Sequence, residues 1–215
     1  MLEKPVRDRR AERHEATKAE IVEVAWDLAR SEGLAGVSLR GVAQRVGMQA
    51  PSLYSYFDSK NAIYDAMYAQ GFRQFIEHHR RLALTGEPLA DLQAHMRSFV
   101  AFCTEDSARY QLLFQRTIPG FEPSPGSYAI SVEGLGIVRG RLAAMGFDDP
   151  ETLDLLTAIG TGLTDQQISN DPGGDRWTRL VDEAMEMFFT FATNRSEARR
   201  PIAKPTTKPK VRARS

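Results

Sequence analysis

The chain has 215 residues, 42% of them apolar, and 28 Lys and Arg balance 28 Asp and Glu. That length and apolar share suit one domain or two small ones with a real core, and no apolar run approaches the ~18 residues of a membrane span. The charged N-terminus lacks the apolar stretch of a secretory signal, and a lone cysteine, Cys103, makes no internal disulfide, so a soluble cytoplasmic protein is expected.

Zero net charge hides an uneven distribution. Residues 1–16 form a mildly basic arm with Lys4, Arg7, Arg9, Arg10 and Arg13. After Asn194 come Arg195, Arg199, Arg200, Lys204, Lys208, Lys210, Arg212 and Arg214 against one acid, Glu197. The segment 195–215 is rich in Pro, Lys, Arg and Thr and is expected to be a disordered basic tail, a solvated end rather than a binding element. The body between the ends is acidic, which suits a protein that meets a polyanion with only part of its surface.

In chain order, residues 17–32 carry one apolar stripe (Ile21, Ala25, Leu28) and read as a helix stopped by Gly33. Ser38 is a good N-cap for a second helix, in which Leu39, Val42, Ala43 and Val46 share a face before Gly47. A third helix is expected from Ala50 to about Phe57, with Pro51 in its first turn and Leu53 and Phe57 inward. Asp58-Ser59 ends it and caps a long fourth helix from Lys60 to about Leu84. Further helical stripes follow: Leu92, Met96, Phe99 and Cys103; Tyr110, Leu113 and Phe114; Leu135, Val138, Leu142 and Met145; Leu155, Leu156, Ile159 and Leu163; and Trp177 to Phe191. Proline and glycine clusters at 119–126 and 171–174 separate them, and Asp149-Pro150 opens one. No strand pattern competes, so the fold class is all-α with about nine helices.

Helix, Gly47 turn and second short helix compose a helix-turn-helix, whose second helix enters the DNA major groove. Ser38-Leu39-Arg40-Gly41-Val42-Ala43 and Leu53-Tyr54-Ser55-Tyr56-Phe57-Asp58-Ser59-Lys60 resemble the TetR family of bacterial transcriptional regulators. The second run is that family's Leu-Tyr-x-His/Tyr-Phe-x-x-Lys signature. The resemblance covers about Thr17 to Met67; the rest agrees only in length and helical layout. One departure is Met48-Gln49, where the family often has Val-Ser.

The resemblance implies a ligand-responsive regulator, by family default a repressor. It would bind a palindromic operator as a homodimer, with half-sites about one turn apart. Carried over by position, Arg40, Gln49, Ala50, Pro51 and Ser52 read base edges, and Tyr54, Tyr56 and Lys60 contact phosphates. The implied organisation is the arm 1–16, a helix-turn-helix domain 17–62, a helical ligand-binding and dimerisation domain 63–194, and the tail. Ile159, Gly162, Trp177, Leu180, Val181 and Phe188 are candidates for the dimer face, with Gly160 and Gly162 allowing close helix approach. Phe99, Phe102, Cys103, Tyr110, Phe114 and Met145 are candidates for a pocket. The effector is expected to be apolar, since no charge cluster is visible in that half.

Enzyme chemistry has no foothold. There is no G-x-S-x-G, phosphate-binding glycine loop or zinc motif, and the Glu-x-x-His pairs of di-iron bundles are missing. Adjacent His78 and His79 point about 100° apart on a helix, and His95 stands alone. No catalytic residue, metal or cofactor is expected. The alternative to a ligand-responsive regulator is a DNA-binding protein without an effector.

Overall fold

A computed structural model describes residues 9–199. They form nine α-helices and one 3-10 turn, with no strand among them. The helices are α1 (Arg9–Gly36), α2 (Leu39–Val46), α3 (Ala50–Leu53), α4 (Lys60–Arg80), α5 (Pro88–Glu105), α6 (Ser107–Phe114), α7 (Pro125–Ala144), α8 (Pro150–Asn170) and α9 (Val181–Arg199). None is long and apolar enough to cross a membrane.

Caps foreseen in the sequence set the starts of α2, α4 and α8. The Ser38 hydroxyl accepts from the Gly41 amide at 3.1 Å, Ser59 from Ala62 at 3.1 Å, and Asp149 from Thr152 at 3.1 Å. Gly47 adopts φ +75°, the left-handed region that closes α2 without a Cβ penalty. The Met48 amide then bonds back to the Ala43 carbonyl at 2.8 Å.

Several boundaries differ from the sequence expectation, among them the last helix, which starts at Val181 after a 3-10 turn at Thr178–Leu180, and α7, which starts at Pro125 inside the expected loop. α1 starts at Arg9, so the described part of the arm 1–16 is helix. Its residues are charged helix formers without apolar periodicity, which a search for stripes passes over. α3 is only Ala50–Leu53, and the backbone leaves it as turns through Tyr56. α4 stops at Arg80 because the chain beyond folds onto Asp91, whose carboxylate accepts from the amides of Thr85 (2.7 Å) and Gly86 (3.0 Å).

Part of the segment expected to be tail is helix. Residues 195–199 belong to α9, and Arg195 and Arg199 pair with Asp149 at the start of α8, at 3.4 and 3.2 Å. The expected tail after Arg199, and the arm before Arg9, lie outside the described residues.

Two apolar clusters form the core. One joins α1–α4 to α5 and α6 through Trp26, Leu53, Phe57, Tyr64, Met67, Phe102 and Leu113. The other joins α5 to α7, α8 and α9 through Met96, Leu142, Leu156, Met185 and Phe188. Phe99 packs against both. Polar links fix the N-terminal helices to the rest: Trp26 Nε1 donates to Gln70 (2.7 Å), the Tyr64 hydroxyl to the Leu34 carbonyl, and Arg30 to Asp106 (2.8 Å). The Asp65 carboxylate binds α7 to α4 by accepting from the Ser124 amide and from the hydroxyls of Ser124 and Ser127, all within 2.9 Å.

Asp106 has two duties, capping α6 through the Arg109 amide (2.9 Å) and holding Arg30 of α1. Asp106→Ala should therefore cost on the order of 2 kcal/mol, a lost cap plus a lost charge-assisted bond, read as a lower urea midpoint.

Candidate nucleic-acid interface and ligand cavity

Leu53 and Phe57 are buried, at 0% and 6% exposure, and hold α3 and its exit against α1 and α2. With these two inward, Gln49, Pro51, Ser52 and Tyr54 project into solvent, Tyr54 at 55% exposure. Arg40, on the first turn of α2, is exposed as well. Ala50 and Tyr56 are half-buried against the core cluster. All eight residues singled out in the sequence thus lie on α2, α3, its exit and the start of α4. Gln49 takes the N-cap position of α3 without a side-chain capping bond, so its amide is not spent on the helix.

Two of the eight have protein partners. The Tyr56 ring stacks on His14 of α1, centroids 4.7 Å apart and 24° between planes. The Lys60 ammonium donates to the Ala35 carbonyl at 3.0 Å and sits 5.2 Å from the centre of the Tyr64 ring. An ammonium has three N–H donors, so this bond leaves two for another acceptor.

A cavity of about 230 Å³ lies between α4, α5, α6, α7 and α8. Its lining is predominantly apolar, with Phe72, Phe75, Phe99 and Phe114 among its walls. Of the six residues expected to line a pocket, Phe99 and Phe114 do so. Phe102, Cys103 and Tyr110 are not among its walls and lie buried in the first core cluster instead. The Tyr110 hydroxyl is turned to Asp165 of α8 at 2.8 Å, and burial pushes the Cys103 thiol up, leaving it inert. Met145 is also corrected, packing on the second cluster beside a narrow crevice.

The wall that sequence reading missed is α4. Tyr68, Phe72 and Phe75, at i, i+4 and i+7, exceed what the helix-turn-helix core uses, and that surplus of aromatic rings was the available signal. Gly160 makes the floor: a Cβ there would sit 2.9 Å from the Met96 sulfur. Gly162, by contrast, has no atom of its own chain within 4 Å.

A polar cluster that the sequence did not disclose closes one end of the cavity. His79 and His95 face each other across α4 and α5, ring centroids 4.9 Å apart. Arg141 of α7 donates to His95 Nδ1 at 2.8 Å and to the His79 carbonyl at 2.7 Å. His79 Nδ1 donates to the Phe75 carbonyl at 2.9 Å. Burial, reinforced by the neighbouring ring and by Arg141, lowers His95 to about 3; burial, with His78 and Arg141, lowers His79 to about 4. Among the described residues no group of three His, Cys, Asp or Glu is placed to hold a metal ion.

The dimer candidates divide. Val181 and Phe188, each at 2% exposure, are core of their own chain and are removed from that set. Ile159, Trp177 and Leu180 are half-buried, and Gly162 is exposed. What α8 and α9 present outward is Leu155, Met187 at 71% and Phe191 at 46% exposure, which periodicity did not single out as surface.

Residues 21–67 match the family model described as bacterial regulatory proteins, tetR family. The HTH-type transcriptional regulator Rv1816 of Mycobacterium tuberculosis (strain ATCC 25618 / H37Rv) is 24% identical over 120 residues, 54% of this chain and 51% of the relative. The chain thus spans about half the length of the curated relatives it matches. A transcriptional regulator from Rhodococcus sp. Rha1 superposes with TM-score 0.63 at 21% identity, covering 81% of this chain and 97% of the other. A TetR variant from Acinetobacter baumannii AYE, in complex with minocycline, superposes with TM-score 0.57 at 19% identity, covering 83% and 97%. At these identities the likeness to the solved structures is one of fold.

The two buried histidines set a pH dependence. Unfolded, they titrate near 6.5; folded, at about 4 and about 3. Between those values the unfolded chain binds more protons, so stability falls as pH drops below 6.5, by up to ~1.4 kcal/mol per pH unit for each ring. Urea midpoints should be lower at pH 5 than at pH 7, and His95→Phe should remove about half of the difference.

Proposed function

We propose, proceeding from the membership of residues 21–67 in the tetR family of bacterial regulatory proteins, that this chain is a ligand-responsive transcriptional repressor. It acts in the cytoplasm as a homodimer on a palindromic operator. The observation that carries the reading is the two-sided α3, in which Leu53 and Phe57 are sealed while Gln49, Pro51, Ser52 and Tyr54 stand clear. Arg40 and Gln49 to Ser52 read base edges; Tyr54, Tyr56 and Lys60 fix the helix to phosphates. The N-terminus of α4, capped by Ser59, adds amide N–H groups beside Lys60. The helix-turn-helix domain is taken as 17–62 and the regulatory domain as 63–194.

Dimerisation is assigned to the outward faces of α8 and α9, where Leu155, Met187 and Phe191 leave apolar area uncovered. The cavity is the effector site. Its occupant separates or tilts the two recognition helices through α4, which is core to the helix-turn-helix at one end and cavity wall at the other. The coupling equals the effector's differential affinity for the two dimer geometries.

Genomic footprinting supplies the operator, and fluorescence anisotropy on that duplex tests the reading. Tyr54→Ala should weaken binding about tenfold or more, roughly 1 kcal/mol per half-site, with thermal stability unchanged. Equal affinity of variant and parent would remove the phosphate role. In sedimentation equilibrium, Met187→Asp combined with Phe191→Asp should shift the protein to monomer; an unshifted dimer would place the interface elsewhere.

A further inference from the structure

The effector-site reading leaves open what the cavity would select, and on that reading rests a deeper one. The lining is mostly apolar: of its hydroxyls, those of Ser131, Thr157 and Thr161 donate to backbone carbonyls of their own helices, Tyr68 contributes a fourth, and at one end His95 enters from α5 at 6% exposure. An arginine guanidinium only donates hydrogen bonds. The 2.8 Å contact from Arg141 to His95 Nδ1 therefore requires that nitrogen to accept, which puts the ring proton on Nε2. Arg141 is itself outside the cavity lining and grips the ring from behind, held in turn by the His79 carbonyl. Among the described residues His95 Nε2 has no hydrogen-bond partner. His79, its neighbour, has its donor committed to the Phe75 carbonyl and gives the cavity nothing.

We infer that His95 is the specificity-determining residue of the cavity, a neutral Nε2–H donor oriented by Arg141 that selects an apolar molecule bearing one acceptor oxygen, a ketone carbonyl or a carboxylate. Burial keeps the ring neutral across the physiological range, so the donor does not change with pH. The volume, about 230 Å³, exceeds the ~150 Å³ apolar cavity that takes up benzene and suits a two-ring or medium-chain skeleton. A buried donor left unmatched by a pure hydrocarbon is what gives such a site its discrimination.

The test uses the full chain with the neutral dye N-phenyl-1-naphthylamine, displaced by naphthalene, 2-acetylnaphthalene and 2-naphthoate. The ketone, the carboxylate or both should bind about tenfold tighter than naphthalene, the worth of one buried hydrogen bond. A gain for both marks the neutral donor acting alone, and a gain confined to the carboxylate adds the charge of Arg141 behind it. In His95→Phe the advantage should vanish while naphthalene binds as before; in His95→Gln, which keeps an amide donor, part should return. Should His95→Phe fail to fold, Arg141→Met carries the same expectation. Three equal affinities in the parent chain, or an advantage that survives His95→Phe, would overturn the proposal while leaving the cavity as a binding site. Failure of the dye and all three probes to bind would sink the effector-site reading itself, and the selectivity with it.

Discussion

Everything in this molecule hangs on the double use of α4. Its first half places Ile63, Tyr64 and Met67, all at 1% exposure or less, in the core that shapes the helix-turn-helix. Its second half places Phe72 and Phe75 against the cavity. The rings run on continuously, Tyr68 to Phe72 at 4.8 Å and Phe72 to Phe75 at 6.2 Å, so no soft joint divides the two regions. Close-packed interiors shift between discrete arrangements more readily than they stretch, which is what a lever between two sites requires.

Polar contacts tie α4 and its neighbours together. Asp65 binds the start of α7 to α4 through Ser124 and Ser127, while Arg30 and Asp106 tie α1 to α6. The N-terminal helices are therefore held on two sides, α4 to α7 and α1 to α6. Arg141 adds a third tie from the far end of α7 to α4 and α5. A cavity occupant that touched His95 would press on a group shared by all three helices.

How much of this was legible in the sequence follows from what each signal depends on. Caps are local chemistry, so Ser38, Gly47, Ser59 and Asp149 marked their helices from composition alone. Leu53 and Phe57 were also readable, because four-residue spacing fixes a face. The pocket was not. Phe99, Phe102 and Cys103 share a helix and a character, and only the packing of the other helices sends Phe102 and Cys103 to the core and Phe99 to the void. The His79–His95–Arg141 cluster joins three helices over 62 residues of chain, and no local pattern announces it. Val181 and Phe188 have the periodicity of a partner-facing stripe and of a core stripe equally, and the fold chose the core.

The brevity of α3 has a consequence beyond docking geometry. Four residues make barely one turn, too little to hold a helix by its own hydrogen bonds, so its shape is imposed by two inward anchors and by the Gly47 turn before it. Of the outward side chains, Pro51 helps set that shape by fixing φ in the first turn, and the others contribute little. Exchanging those others costs the fold little, so the surface at Gln49 and Ser52 can be rewritten while the scaffold persists. Such a separation leaves single substitutions on that face free to change its chemistry with the chain still folded.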